Sequence, residues 1–348
     1  MATLTTKAGA VTLLDVAKAT DPDGRIAAVA ELLHQSNEIL TDMPWYEGNL
    51  ATGHRGSIRT GLPSPIWRKM YKGVPPSKSL RATVEDGCGM LEDRNEIDKD
   101  VAELNGNTAQ FRLDEGMATI EGINQTMAEA LIYGDASIHP ERFNGLATRY
   151  NTINTATSEV AKNVISAGGS GNCTSVWLVV WGKNTVHGIY PKGSKAGLNH
   201  DDLGLIDAFD ENNHRYRAYA DHWQWKCGLH VKDWRYVVRI ANISVSDLLA
   251  QTGTQANSAA TWLPRLLVKA QARIPFRNMG RAAFYASRTV KEMLAVGALD
   301  KSQNILAIQP AMEQYGNLGD GFVNTDLVAH GIPIRTVDRI LETETALT

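Results

Sequence analysis

Apolar residues run unbroken from Val176 to Trp181, in the order Val-Trp-Leu-Val-Val-Trp. Trp and β-branched side chains suit a pleated, half-buried surface. A Gly- and Lys-rich turn follows over 188–198, and an acidic break over 200–204. An aromatic tract closes the stretch, through Tyr216, Trp223, Trp225 and Trp234 to Tyr236-Val237-Val238-Arg239-Ile240. Five of the eight Trp fall at 177, 181, 223, 225 and 234. The pattern predicts a long antiparallel ribbon over 176–240.

A different period governs residues 108–133. Phe111, Met117, Ile120, Asn124, Met127 and Leu131 recur near helical spacing and predict one long helix. At ~1.5 Å per residue it would be close to ~40 Å long. Gly116 and Gly122 lower its propensity by nearly ~1 kcal/mol each and point to close packing against a sheet.

Elsewhere the pattern is shorter in range. Residues 1–24 read as an extended arm, and 25–40 as a helix that Pro44 ends. Residues 45–91 alternate, are interrupted by Pro63 and Pro65, and return, which predicts a two-stranded excursion with an irregular tip. Such a ribbon is marginal alone and must lie against something. Trp67, Met70 and Tyr71 at the tip call for cover by a neighbouring subunit, or for a ribbon folded back onto its own domain. The charged segment 92–103 reads as helical. Residues 138–171 read as loop with helical turns over 157–165, and 251–259 as a connector. Helices are expected at 246–249, at 261–272 with Pro264 in the first turn, and at 287–296. Strands are expected at 281–285 and 331–337, with 299–325 irregular.

With 348 residues, 43% hydrophobic and 21% charged, the chain can bury a large core without disulfides. A net charge of -3 gives no basic excess of the kind sequence-reading DNA-binding domains carry. Cys88, Cys173 and Cys227 are widely spaced and form no CxxC pair, so they read as reduced, buried thiols of a cytoplasmically made chain. Residues 1–20 lack an early basic cluster, and Asp15 interrupts their apolar run, unlike a signal peptide. No stretch approaches the ~20 apolar residues that cross a bilayer, so a soluble protein without membrane contact is expected.

The search for chemistry is largely negative. Gly168-Gly169-Ser170-Gly171 is followed by Asn172, so the nucleophile-elbow pattern fails, and no Lys-Ser/Thr completes a phosphate loop. His187, His200, Asp201 and Asp202 match no standard metal spacing. Asp221-His222 with Cys227 sits among Trp223 and Trp225, which suits an aromatic ladder better than a thiol site. The loop 193–197 with Lys192 and Lys195 could cradle an anion or simply meet an acidic neighbour. No catalytic, cofactor-binding or metal residue is assigned.

Several stretches, in one order along nearly the whole chain, carry a resemblance. They are Leu13-Leu14-Asp15-Val16-Ala17-Lys18, Asp21-Pro22-Asp23-Gly24, Glu47-Gly48-Asn49-Leu50-Ala51-Thr52-Gly53-His54-Arg55 and Arg59-Thr60-Gly61-Leu62-Pro63. Asp98-Lys99-Asp100 and Leu104-Asn105-Gly106-Asn107-Thr108-Ala109 follow, then Trp177-Leu178-Val179-Val180-Trp181-Gly182 and 188–198. Trp234-Arg235-Tyr236-Val237-Val238-Arg239-Ile240-Ala241-Asn242-Ile243 and Gly331-Ile332-Pro333-Ile334-Arg335-Thr336-Val337-Asp338 complete the set. The chain resembles the major capsid proteins of short-tailed double-stranded DNA bacteriophages, the epsilon15-like and BPP-one-like group.

That resemblance implies an α+β capsid fold of the Hong Kong 97 type. It assigns 1–44 to an N-terminal arm and short helix, and 45–92 to an extended loop reaching over an adjacent subunit. It assigns 93–150 to a spine helix and peripheral domain, 151–250 to a long ribbon with peripheral and axial strands, and 251–348 to axial helices and strands. Because 283–294 and 331–337 follow the aromatic ribbon, a permuted connection is expected. The implied function is structural, not enzymatic: self-assembly into hexamers and pentamers of an icosahedral shell around double-stranded DNA, in a virion made in a bacterial cytoplasm. DNA would be touched without sequence preference. A scaffold, a portal and a cement protein are the other partners implied, and no cofactor is.

Charge adds a contact hypothesis. Arg55, Arg59, Arg68, Lys69, Lys72, Lys78 and Arg81 make the excursion basic, while Glu92, Asp93, Glu96, Asp98, Asp100 and Glu103 make the next segment acidic. With Trp67, Met70 and Tyr71, these groups are expected to meet between subunits and fix register; the alternative is two solvated faces. Two rival functions are weighed, another virion part such as a tail tube or decoration protein, and a metal-dependent enzyme using His187, His200 and Asp202.

Overall fold

The computed structural model describes residues 35–104, 107–210, 212–249, 259–299, 306–310 and 325–348. The expected arm at 1–24, the connector at 251–258 and most of the expected helix at 25–40 lie outside the described residues. In chain order the strands are β1 (Trp45–Glu47), β2 (Gly53–Gly61), β3 (Leu80–Gly87), β4 (Gly89–Asp98), β5 (Val164–Ser166), β6 (Cys173–Trp181) and β7 (Val186–Tyr190). They continue with β8 (Leu198–Phe209), β9 (Arg215–Val231), β10 (Val237–Ser244), β11 (Arg281–Ala286), β12 (Leu306–Pro310), β13 (Thr325–Ala329) and β14 (Ile332–Thr336). The described residues divide into two compact units, one formed by those within 90–127 and 195–226 together with Gln35, the other by those within 36–89, 128–194 and 227–348.

In the larger unit β6 is the central strand. It pairs antiparallel with β10 on one side and with β11 on the other, and β11 continues in parallel to β14. All nine β6 residues are buried. Val176, Leu178 and Val180 point into a core shared with Val238, Ile240, Phe284 and Ile334. Helices Ala259–Arg273 and Arg288–Leu299 close that core with Leu263, Leu267, Ala270, Val290 and Leu294. Trp177 and Trp181 occupy the alternate positions of β6. Trp177 meets the edge of Tyr150, and Trp181 Nε1 donates to Tyr285 Oη at 2.6 Å. The unbroken apolar run follows from this, because a strand covered on both faces has no wet side to make polar. Each fully buried Val or Leu contributes about 1.5–3 kcal/mol.

One buried ion pair crosses this interior. Arg239 lies over the Trp177 ring, 4.9 Å from its centroid, and donates to Glu344 Oε2 at 2.9 Å, Ser175 Oγ at 3.0 Å and the Tyr150 carbonyl at 2.9 Å. Glu344 also accepts from Tyr133 Oη and Ser175 Oγ, each at 2.5 Å. Its backbone exchanges two hydrogen bonds with Cys173, and Leu347 exchanges two with the Asn242 side chain. The segment after β14 is thereby pinned to β6 and β10.

The ribbon expected over 176–240 is shorter: in the smaller unit β8 and β9 pair from Leu198 opposite Trp225 to Phe209 opposite Arg215, while 176–181 and 237–244 pair with each other as β6 and β10 in the larger unit. The acidic stretch 200–204 does not break it. Asp202 and Gly204 mark a bulge, with Gly204 at φ +66 and its N–H donating to Asp202 Oδ1. Gly188, read as part of a turn, lies within β7, where a Cβ would come 2.7 Å from the Trp45 ring of β1. Glycine there is a packing requirement.

Further expectations are corrected. The segment 92–103 is not one helix. It is the strand β4 as far as Asp98, whose side chain caps a short helix, Lys99–Glu103, through the Asp100 N–H. Its charges serve an edge position: Glu92 faces β9, taking a hydrogen bond from Gln224 and lying 3.6 Å from His222. The long helix is Thr108–Tyr133, as expected, but its buried stripe is Phe111, Ile123, Met127, Leu131 and Ile132. Leu113, Met117 and Ile120 stay largely exposed. A Cβ at Gly116 would make only ordinary contact with Trp223, at 3.5 Å, and one at Gly122 would meet nothing, so neither glycine marks close packing. Pro264 falls in the second turn of its helix, because that helix starts at Ala259.

Candidate assembly surface

Strands β2 and β3 build an arm. They pair antiparallel from Gly53 opposite Gly87 to Gly61 opposite Leu80, with an irregularity between Arg59 and Gly61. Beyond Gly61 the chain leaves the ladder, and 62–79 form the tip. Pro63, Pro65, Pro75 and Pro76 supply no N–H, which keeps this segment from extending the pairing. A one-turn kink brings Lys72 N to the Lys69 carbonyl and Arg68 Nε to the Lys72 carbonyl.

The tip presents its largest side chains to solvent. Trp67 and Tyr71 are fully exposed, Met70 is 88% exposed, and Leu62 and Val74 are mostly so. A contiguous apolar group of this size on a surface marks an interaction site. The arm is also basic: residues 53–87 hold seven Lys or Arg against Glu85 and Asp86. Of the expected contact residues, Arg55 pairs with Glu85 across the ladder at 2.7 Å, and Arg59 stands opposite Arg81. Arg68, Lys69, Met70, Tyr71 and Lys72 share the tip with Trp67.

The acidic partners are partly engaged at home. Glu92 meets Gln224 and His222, Glu96 pairs with Arg94 at 3.1 Å, and Asp98 caps its helix. Asp93 accepts from the Arg94 N–H. The segment still carries six carboxylates against Arg94 and Lys99.

A groove of about 330 Å³ lies beside the long helix in the smaller unit, lined by Leu113, Met117, Ile120, Trp223 and His200 among others. At its end Arg112 donates to Asp202 at 2.7 Å and to Asp221 at 2.9 Å. His200 stacks on Trp223 and binds Asp221 at 2.9 Å. His200 and Asp202 are thus tied to Arg112 and Asp221, while His187 belongs to the larger unit. Among the described residues no group of three or more His, Cys, Asp or Glu is placed to hold a metal ion. The loop at 193–197 meets an acidic neighbour, since Gly193 N donates to Glu47 at 2.9 Å.

Sequence reading missed the root of the arm. His54 of β2 and Asp86 of β3 reach into the body of the larger unit. There His54 meets His230 of β9, ring centroids 4.5 Å apart, and His187 of β7, 6.2 Å away. His187 and His230 lie 5.2 Å apart. Asp86 accepts from His230 Nδ1 at 2.7 Å, from Arg149 at 2.7 Å and from the Val231 N–H at 3.3 Å. These residues are far apart in sequence, and only the pairing of β7 with β9 and the docking of the arm bring them together.

A family model described as Major capsid protein GP7 matches residues 21–348. This chain belongs to that family. The capsid structure of bacteriophage epsilon15 is similar over the full length of both chains, with 32% identity and a TM-score of 0.73. The bacteriophage JBD30 capsid matches 89% of this chain and 92% of its own at 6% identity, with a TM-score of 0.47. The capsid of a native GTA particle matches 62% of this chain and 93% of its own at 8% identity, with a TM-score of 0.45. No curated protein matches. The major capsid protein is therefore a structural subunit of a phage shell with the Hong Kong 97-type fold, and its place is the virion. No helix among the described residues is long and apolar enough to cross a membrane.

Proposed function

We propose that the β2–β3 arm and the acidic segment after it are the contacts through which copies of this capsid protein assemble into hexamers and pentamers. The observation that carries this reading is the apolar, basic tip, with Trp67 and Tyr71 fully exposed. Burying such side chains against a second copy supplies association energy, and the opposed charges of 53–87 and 92–103 set register. In this reading 1–44 are the N-terminal arm and short helix, 45–92 the extended loop, 93–150 the spine helix and peripheral domain, 151–250 the long ribbon with peripheral and axial strands, and 251–348 the axial helices and strands. The order, with β11 and β14 after the aromatic ribbon, is a permuted one. The role is purely structural. The enclosed double-stranded DNA is touched weakly and without sequence preference, and a scaffold, a portal and a cement protein are the further partners.

The test reverses charge at the tip. Arg68→Glu combined with Lys69→Glu is expected to abolish closed particles in negative-stain microscopy of the expressed protein. Circular dichroism of the unassembled chain should stay unchanged. Normal particles from this variant would overturn the reading.

A further inference from the structure

We propose that the root of the arm is a proton-operated latch: it holds the β2–β3 arm against the body of its unit while His54 and His187 are neutral, and releases it when they gain protons. The geometry carries the idea. Three imidazoles lie within 4.5–6.2 Å of one another, centroid to centroid. One belongs to the arm, His54, and two to the body, His187 and His230. Protonation therefore places like charges on both sides of a joint.

The surroundings offer little to neutralise them. From the arm comes one carboxylate, Asp86, already committed to His230, Arg149 and the Val231 N–H. From the body come two more cations, Arg149 of the helix Leu146–Arg149 and Lys232 just after β9, the latter hydrogen-bonded to Asn184. β1 contributes only the Tyr46 ring, set edge-on to His187 at 5.0 Å, and the Gly182 carbonyl lies 3.3 Å from His187 Nδ1. His54 Nδ1 and His230 Nε2 are buried without a hydrogen-bond partner. His230 is also tight against the arm's backbone, since a Cβ on Gly56 would come 3.1 Å from its ring. Added charge at this joint meets one carboxylate, Asp86, which Arg149 and His230 already share.

The titration behaviour agrees in sign. Burial, then the neighbouring His230, hold His187 down to about 4. His54 is lowered by burial and by His230, with Asp86 opposing. Burial works to raise Asp86, but the His230 hydrogen bond and the Arg149 cation outweigh it and hold its carboxyl below the usual carboxylate range. An imidazole lowered in the folded state stabilises that state fully above its free value of ~6.5. The contribution is lost as pH falls from there toward about 4 for His187.

Hydrogen–deuterium exchange of the purified chain tests the latch, with rates corrected for intrinsic pH dependence. Between about pH 7.5 and about pH 5, protection of residues 53–57 and 84–88 is expected to fall about tenfold while β6 holds. His54→Phe keeps a ring against His230 but cannot be protonated, and should shrink that loss at least about threefold. Exchange at the imidazole C2 position in the unsubstituted protein reads His54 and His187 directly, should the variant not fold. Both are expected to titrate below ~6.5, His187 toward about 4. Equal root protection at the two pH values, an undiminished loss in His54→Phe, or ordinary titration of both rings would each overturn the proposal. The readout is the arm of a single chain, so it stands apart from whether that arm bridges subunits.

Discussion

Glu344 is the residue on which the interior depends most sharply. Truncating it to Ala leaves the Arg239 guanidinium buried beside Trp177 with its carboxylate gone, and Tyr133 and Ser175 lose their acceptor. Removing one member of a buried pair costs about 3–5 kcal/mol, so Glu344→Ala should lower the unfolding free energy of the unassembled chain by about that amount in urea titrations. A quieter test concerns the thiols. Burial, with help from Asp86, pushes Cys88 up to about 11, and burial with Cys88 nearby pushes Cys227 higher still. Both are protonated at pH 8. A disulfide-exchange reagent should react with neither in the native protein and with both after denaturation.

Elements explain where the sequence was legible. Residues 108–133 announce their helix because twenty-six residues of helical spacing average out local exceptions. The aromatic ribbon was legible over 198–225, whereas the apolar runs at 176–181 and 237–240 were assigned to it although they pair with each other as β6 and β10. The buried stripe of the helix was misjudged at Met117 and Ile120, since spacing alone cannot say which of two adjacent apolar faces finds a partner. The β4 segment was misread because its charges are evenly distributed and its strand character comes from β9 beside it, a tertiary effect. The bulge at Asp202 and Gly204 was legible only as an interruption. Its glycine has φ +66, where an alanine costs about 1–2 kcal/mol. Gly204→Ala should lower the melting temperature of the unassembled chain without changing its strand content by circular dichroism. The apolar tip was visible from Trp67, Met70 and Tyr71. The histidine root was not, because no local signal ties residue 54 to residues 86, 187 and 230.

For the whole molecule, the separation of arm from core makes folding and assembly distinct events. Core residues such as Trp177 and Leu178 are fully buried within one chain, while Trp67 and Tyr71 contribute nothing to that chain's interior. Trp67→Ala with Tyr71→Ala should therefore leave the stability of the unassembled protein within about 0.5 kcal/mol. The same pair should prevent shell formation in light scattering. The exposed tip also has a thermal consequence. Apolar burial weakens on cooling, whereas the attraction proposed between the basic arm and the acidic segment of a second copy would weaken with added salt. Shell edges closed over Trp67, Met70 and Tyr71 would loosen first in the cold, and chilling in high salt would remove both attractions together.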